Sequence, residues 1–86
     1  MALVQAFQLP GCRFWFYTGD HEPPHFHARA GDAWEIRVYF LQEPPEHKVK
    51  FAVRHVPARM VKQILHLAAT HRAELLQEWE RSQADE

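Results

Sequence analysis

Residues 25–40, "HFHARAGDAWEIRVYF", alternate between apolar and polar side chains on both sides of a short loop that contains a glycine. The apolar positions before the loop are Phe26, Ala28 and Ala30, and those after it are Trp34, Ile36, Val38 and Phe40. A period of two is typical of antiparallel strands that bury one face. The stretch therefore predicts a β-hairpin with an apolar face and a polar face.

The loop length sets the register of this hairpin. A loop of residues 31–33 brings apolar side chains opposite one another, and the expected pairs are Ala30 with Trp34, Ala28 with Ile36 and Phe26 with Val38. The same register sets the polar pairs Arg29 with Glu35, His27 with Arg37 and His25 with Tyr39. A slip of one residue would turn every side chain to the wrong face.

The segments on either side of the hairpin extend the sheet. "CRFWFYT", residues 12–18, is rich in aromatic residues and predicts a preceding strand, while residues 1–11 form an edge strand or a loose arm. "KVKFAV", residues 48–53, alternates again and predicts a following strand after a loop of residues 43–46. The expected pairs are Phe40 with Val49, Val38 with Phe51, Ile36 with Val53, Tyr39 with Lys50 and Glu35 with Arg54.

From Pro57 onward the apolar period becomes that of a helix, and Pro57 suits the first helical position. The apolar stripe comprises Val61, Ile64, Leu65, Ala68, His71, Leu75 and Trp79. The sequence thus predicts a single α+β domain over residues 1–86. It consists of an antiparallel meander of about four strands within 12–54, one amphipathic helix over 57–81 packed on one sheet face, and a frayed tail over 82–86.

Composition narrows the class of protein. The chain has 86 residues, a net charge of −1 and one cysteine, so an intrachain disulfide and a four-cysteine zinc site are excluded. No signal peptide or membrane-spanning stretch is recognisable, which leads us to expect a cytoplasmic protein without a membrane partner. A small domain with exposed sheet edges would also gain stability from forming a homodimer.

The stretch "HEPPHFH", residues 21–27, contains three of the seven histidines. His25 and His27 would share one strand face with about 6.6 Å between their Cα atoms. With His21 from the turn and His71 from the helix, they are the candidate ligands for a divalent transition metal such as zinc, nickel or copper, and Asp20 and Glu22 lie nearby. Alternatively, the histidines brace the turn by donating to carbonyl groups that the two prolines leave without local donors.

The polar face of the predicted hairpin is a second candidate site. It would present His25, His27, Arg37, Tyr39 and Lys50, a set that suits phosphate binding or base stacking. Binding of nucleic acid is one interpretation of this face, and metal-independent cleavage of RNA by the two histidines is another. We expect a binding module that requires no cofactor rather than an enzyme.

Two motifs of the chain also resemble a known family. "FYTGDHEPPHFHARAG" carries the pattern D-H-x-P-P-H-F-H, and residues 71–79 carry H-x-x-E-L-x-x-x-W. Over residues 12–80 the chain resembles a bacterial family of small domains of unknown function, number four-one-six-zero in its series. Many members have a G-x-L-P turn before the helix, where this chain has "RHVPARM".

The resemblance has implications for context but assigns no catalytic residue. It implies a short cytoplasmic domain that acts with a small partner protein, in an arrangement like a toxin–antitoxin pair. Because the helix histidine belongs to the same signature as the turn histidines, it also implies that His71 lies near "HEPPHFH".

Overall fold

A computed structural model describes residues 1–84 and has an α+β fold, as predicted. Five strands form one antiparallel sheet in the order β1-β2-β3-β4-β5. The strands and helices are β1 Ala2–Leu3, β2 Arg13–Phe16, β3 Phe26–Ala30, β4 Trp34–Tyr39, β5 Glu46–Ala52, α1 Ala58–Thr70 and α2 Arg72–Ala84. The described residues therefore hold five strands and two helices, where the sequence predicted about four strands and one helix.

The extra strand is β1, so the first of the two alternatives for the N-terminal segment is confirmed. Leu3 pairs with Trp15 at the edge of the sheet. Beyond β1 the segment joins the core, since Val4 and Phe7 are buried, and the backbone N–H of Gln5 donates to a carboxylate oxygen of Glu78 at 2.6 Å. These contacts tie the arm to both the sheet and α2.

The predicted register of the first hairpin is confirmed at all the pairs from Phe26↔Val38 to Ala30↔Trp34. In the loop, Ala33 N–H donates to the carbonyl of Ala30 at 3.0 Å. Gly31 has a φ of +51°, a conformation that glycine adopts at little cost. Loop chemistry and face alternation therefore agree on one register.

The predicted register of the second hairpin is wrong. Val38 lies opposite His47 rather than Phe51, a shift of four residues, and the pairing is irregular between Glu35 and Ile36. β4 ends at Tyr39, and the backbone carbonyl of Phe40, outside the ladder, accepts a hydrogen bond from Arg72 of α2 at 2.9 Å.

The shift moves the apolar row of β5 away from the centre of the sheet. Val49 lies opposite Ile36 but is 52% exposed, and Val53 is 74% exposed. Phe51 lies on the polar face, beneath the guanidinium of Arg29. The predicted pairs of Val49, Phe51 and Val53 with β4 are therefore replaced.

The predicted single helix over 57–81 is divided at His71, and Pro57 precedes the first helical residue, Ala58. The hydrogen bond from His71 N–H to the Leu67 carbonyl persists at 3.0 Å, so the division is a bend rather than a loop. The bend allows the buried residues of both helices to cover the same face of a twisted sheet. These residues include Ile64, Ala68, Leu75 and Trp79 of the predicted stripe.

Helix α2 continues to Ala84, where fraying from residue 82 was predicted. Ser82 is buried and donates to the Trp79 carbonyl at 2.7 Å. The side chain of Gln83 donates to the Tyr17 carbonyl and accepts from Gly19 N–H, both at 2.9 Å. These contacts hold the last helical turn on the β2–β3 connection; residues 85–86 of the predicted tail lie outside the described residues.

The corrected register leads to a test by urea unfolding. Ile36 is fully buried, so Ile36→Ala should lower the free energy of unfolding by about 2–5 kcal/mol. Val53→Ala, at a largely exposed position, should change it by less than about 0.5 kcal/mol. A large loss at Val53 would instead support the register predicted from the sequence, in which the two side chains pair in the core.

Candidate metal centre

The connection between β2 and β3 brings three potential metal ligands together. Asp20 comes from the turn, while His25 and His27 flank Phe26 at the start of β3. The backbone N–H of Tyr17 donates to Oδ2 of Asp20 at 3.4 Å and helps to orient the carboxylate. Because Phe26 points into the core, the alternation of the strand turns both imidazoles to the opposite face.

The three donor atoms converge on one point. Oδ2 of Asp20 lies 3.0 Å from Nε2 of His27 and 3.4 Å from Nε2 of His25. One donor atom from each residue lies within 4.8 Å of the other two. Two donors bound to a tetrahedral zinc ion are about 3.3 Å apart. The separations therefore suit a shared metal ion.

His25 is held in the tautomer that a metal ligand requires. Its Nδ1 lies 2.9 Å from the carbonyl oxygen of Pro23. Since a carbonyl only accepts, Nδ1 carries the proton and donates. Nε2, the nitrogen left to bind a metal, faces Asp20. A backbone carbonyl that orients a histidine in this way is common around bound metals.

His27 lies between two carboxylates. Its Nε2 faces Asp20, and its Nδ1 lies 3.9 Å from Oε2 of Glu35. Nδ1 of His27 and Oε2 of Glu35 are both buried without a hydrogen-bond partner among the described residues. Burial lowers the pKa of His27, against the opposing influence of Asp20, so the ring is neutral at pH 7.

A neutral ring donates only one hydrogen bond, so His27 cannot serve both carboxylates at once. With Nε2–H donating to Asp20, the opposite nitrogen has no proton to share with Glu35. If Nε2 instead bound a metal, the proton would lie on Nδ1 and face Glu35. The pair of unsatisfied atoms thus matches the tautomer of a metal ligand and its outer carboxylate.

Aromatic rings enclose both imidazoles. Trp15 stacks on His27 with 5.5 Å between ring centroids, and Tyr17 meets its edge. Tyr39 and Trp79 lie 5.2 and 5.5 Å from the ring of His25. His25 and His27 are only 5% and 2% exposed. This enclosure lowers the local dielectric constant and strengthens every charge interaction inside it.

The predicted metal ligands are only partly brought together. His25 and His27 belong to the convergent group, whose third member is Asp20, whereas His21 is exposed and outside it. His71 also lies outside the group: its Nδ1 is 2.9 Å from Oε1 of Glu74, and its ring packs 5.7 Å from that of Phe7.

Glu35 was missed as part of this site, although the sequence held a signal for it. The predicted register set Glu35 opposite Arg29, one step diagonally from His27 on the same face, which is within reach across two strands. Its 2% exposure is unusual for a carboxylate and could not be read from the alternation.

The donor set has a recognisable chemistry. Two histidines and one carboxylate bind zinc in several hydrolytic enzymes and iron(II) in non-haem oxygenases, and both arrangements leave positions for water or a substrate. Asp20, His25 and His27 would hold the metal, while Pro23 and Glu35 would orient the histidines.

The predicted binding face is changed by the burial of its histidines. Of the five residues proposed for it, Arg37, Tyr39 and Lys50 retain exposed surface. Lys48 adds a further charge, with its Nζ 5.7 Å from the centroid of the Tyr39 ring. We call Arg37, Lys48 and Lys50 the cation cluster.

The charges of the cation cluster are only partly neutralised. Nζ of Lys50 lies 3.3 Å from Oε2 of Glu35, and the guanidinium of Arg29 lies 3.5 Å from Oε1 of the same carboxylate. Across residues 1–84, no carboxylate lies within ion-pair distance of Arg37 or Lys48. The exposed part of the face is therefore basic, although the whole chain has a net charge of −1.

The fold and the site define a small α+β domain with a buried His–His–Asp group at one turn. Its family is established by a match of the DUF4160 family model, a domain of unknown function, to residues 11–80. The chain belongs to this family, as the two sequence motifs indicated. Neither the curated proteins nor the solved structures contain a match to the chain.

Within residues 1–84, neither helix combines the length and the apolar character needed to cross a bilayer.

The outer carboxylate can be tested by zinc titration. Glu35→Gln keeps the size of the side chain but removes the charge that faces Nδ1 of His27, so we expect about 10–100-fold weaker zinc binding. Glu74→Gln makes the same change beside His71, outside the group, and serves as the matched control. Equal affinities of the Glu35 variant and the wild type would exclude a role for Glu35 in orienting the ligand.

Proposed function

We propose that the domain binds a divalent transition metal through Asp20, His25 and His27. The observation that carries the proposal is the convergence of Oδ2 of Asp20 with Nε2 of both histidines, at 3.0 and 3.4 Å. This is the alternative function derived from the sequence, with Asp20 in place of His21 and His71.

The metal explains more of the geometry than a structural brace does. A brace needs only the hydrogen bond from His25 to the Pro23 carbonyl and one bond between His27 and Asp20. It leaves Nδ1 of His27 without a partner beside Oε2 of Glu35, a carboxylate that pairs with Lys50 and Arg29 on its other side. A buried polar atom without a partner is costly in the low dielectric of a protein interior, and native structures contain few of them.

A bound metal would supply Lewis acidity and a position for a water molecule or an exogenous ligand. The residues of the chain orient the imidazole of His25 through the Pro23 carbonyl, favour the neutral form of His27 by burial and limit access of bulk solvent. His25 and His27 are buried and engaged, so the geometry gives no support to RNA cleavage by two free imidazoles.

Zinc should stabilise the purified, untagged protein. At 100 times the dissociation constant, ligand binding contributes about 2.7 kcal/mol, which for a domain of this size raises the melting temperature by roughly 11–22 °C. We expect one equivalent of zinc in native mass spectrometry. Asp20→Asn and His27→Gln should abolish both effects.

The control variants are chosen from the histidines outside the group. His21→Ala and His71→Ala should retain the zinc-dependent shift, because neither imidazole lies with the three ligands. A protein that takes up no zinc, nickel, copper or iron(II), and whose melting temperature none of them changes, would refute the proposal.

We propose, as a second function, that the cation cluster contacts an anionic partner. The specific observation is that Arg37 and Lys48 lie opposite each other, are exposed on one face and form no ion pair in the described part of the chain. It supports a site on the outer face of β4 and β5 for the partner expected from the family resemblance or for the phosphates of a nucleic acid.

Salt dependence tests the second function. Binding of polyglutamate or of a single-stranded oligonucleotide should weaken as sodium chloride is raised from 50 to 300 mM, because contacts between exposed charges are screened. Arg37→Glu should weaken binding, whereas Arg59→Glu on α1 should leave it unchanged. Binding that is absent at low salt would contradict the proposal.

A further inference from the structure

We propose that the open edge of β5 accepts an extended, acidic strand of a partner protein as a sixth strand of the sheet. The proposal rests on the proposed binding of an anionic partner and specifies the chemistry and geometry of that partner. It combines three features of β5: its unpaired edge, its exposed apolar residues and its lysines.

The first feature is the edge itself. β5 is the last strand of the sheet and pairs with β4, and no strand within residues 1–84 pairs with its other side. With 7 residues, β5 is the longest strand described. Its outward N–H and C=O groups are a template for a further strand. The opposite edge, β1, has only 2 residues and therefore offers far fewer backbone groups for pairing.

The second feature is apolar surface along the same edge. Val49 is 52% exposed although it lies opposite the fully buried Ile36, and Val53, just beyond the strand, is 74% exposed. A side chain of an added strand that points to the helix side of the sheet would cover Val49. The displaced register of β5 thus leaves apolar surface on the side where another strand would complete the layer.

The third feature is charge on the other side of the sheet. Lys48 lies opposite Arg37 on the polar face, and Lys50 lies beside them. Side chains alternate between the two faces along an added strand. A partner segment in which acidic residues alternate with apolar ones would therefore face the cation cluster on one side and Val49 on the other.

A second copy of this chain is disfavoured at the edge in a register centred on Val49. In an antiparallel pairing of two β5 strands about Val49, Lys48 of one copy would lie directly opposite Lys50 of the other, and both such pairs would repel. Edge lysines are a common means of preventing self-association.

A nucleic acid fits it less well than an acidic strand. The cation cluster has three members, and Lys50 is already shared with Glu35 at 3.3 Å. Strong phosphate binding draws on a larger set of contacts, and a net charge of −1 gives no long-range attraction for a polyanion. Phosphates would also leave Val49 uncovered.

Fluorescence anisotropy with designed peptides tests the proposal. The probe is a labelled peptide of 7 residues, the length of β5, in which glutamate and valine alternate. Two further peptides have the same sequence and charge but carry N-methyl groups at alternate residues, one peptide along one edge of the strand and the other along the opposite edge. The methyl groups block strand pairing at the edge that carries them. The unmodified peptide should bind about tenfold more tightly than the form whose methyl groups face β5, because main-chain hydrogen bonds provide affinity in strand addition, while the form methylated on the outward edge should bind like the unmodified peptide.

Two protein variants locate the site. Lys48→Glu should weaken peptide binding by about tenfold, the size of effect typical for the loss and reversal of one interface charge. Lys62→Glu, at an exposed position of α1, should leave affinity within about twofold of the wild type. Amide hydrogen exchange of β5 should slow when the unmodified peptide is bound.

The outcomes separate this proposal from the broader one. Equal, salt-dependent binding of both methylated peptides and the unmodified one would leave an anion site but overturn strand addition. Tighter binding of a single-stranded oligonucleotide that also depends on Lys48 would overturn it in favour of nucleic acid. A dimer that Lys48→Glu strengthens would place a second copy at this edge instead, and the absence of all binding would refute both proposals.

Discussion

The burial of Phe26 is the constraint on which the rest of the structure depends. Its ring is fully buried and lies within 5.7–6.1 Å, between centroids, of three other phenylalanine rings. Because neighbouring positions on a strand face opposite ways, this burial commits His25 and His27 to the other side of the sheet. The turn before the strand places Asp20 on the same side, beside both histidines. Core packing and site geometry are in this way consequences of a single residue's orientation.

Asp20, His25 and His27 differ from ordinary surface histidine clusters because both imidazoles are buried and contact other groups at both ring nitrogens. Each imidazole has an outer partner, Pro23 for His25 and Glu35 for His27, as well as a shared inner one in Asp20. The aromatic rings around them exclude water, which makes an unsatisfied polar atom costly. The unpaired Nδ1 of His27, which faces Glu35, is for this reason the most informative feature of the site, since it points to a state of His27 that differs from the metal-free one.

The sequence was sufficient where loop length and face alternation acted together, and it failed where only alternation was available. In the first hairpin a short loop with Gly31 left one register, and it was confirmed. From Ile36 to Tyr39 the second hairpin shifted by four residues, an even number, which preserves the alternation and so leaves no trace in the pattern. The irregularity between Glu35 and Ile36, which turns Phe51 to the polar face, and the contact of Arg72 with the Phe40 carbonyl across 32 positions of the chain are likewise absent from the pattern. The motif likewise identified His25 and His27. It also suggested His71, which lies outside the group, because residues of one family signature need not be close in space.

The negative charge of Glu35 interacts with two separate groups of residues. On one side it faces His27, and on the other it pairs with Lys50 and Arg29. An anion that drew Lys50 away would leave the field of Glu35 less compensated and more favourable to a cation beside His27. By thermodynamic reciprocity, a cation held there would make Lys50 more available to an anion. The buried carboxylate of Glu35 can therefore couple the two sites electrostatically. Binding of a cation at the turn and binding of an anion at the strand edge then each increase the affinity of the other.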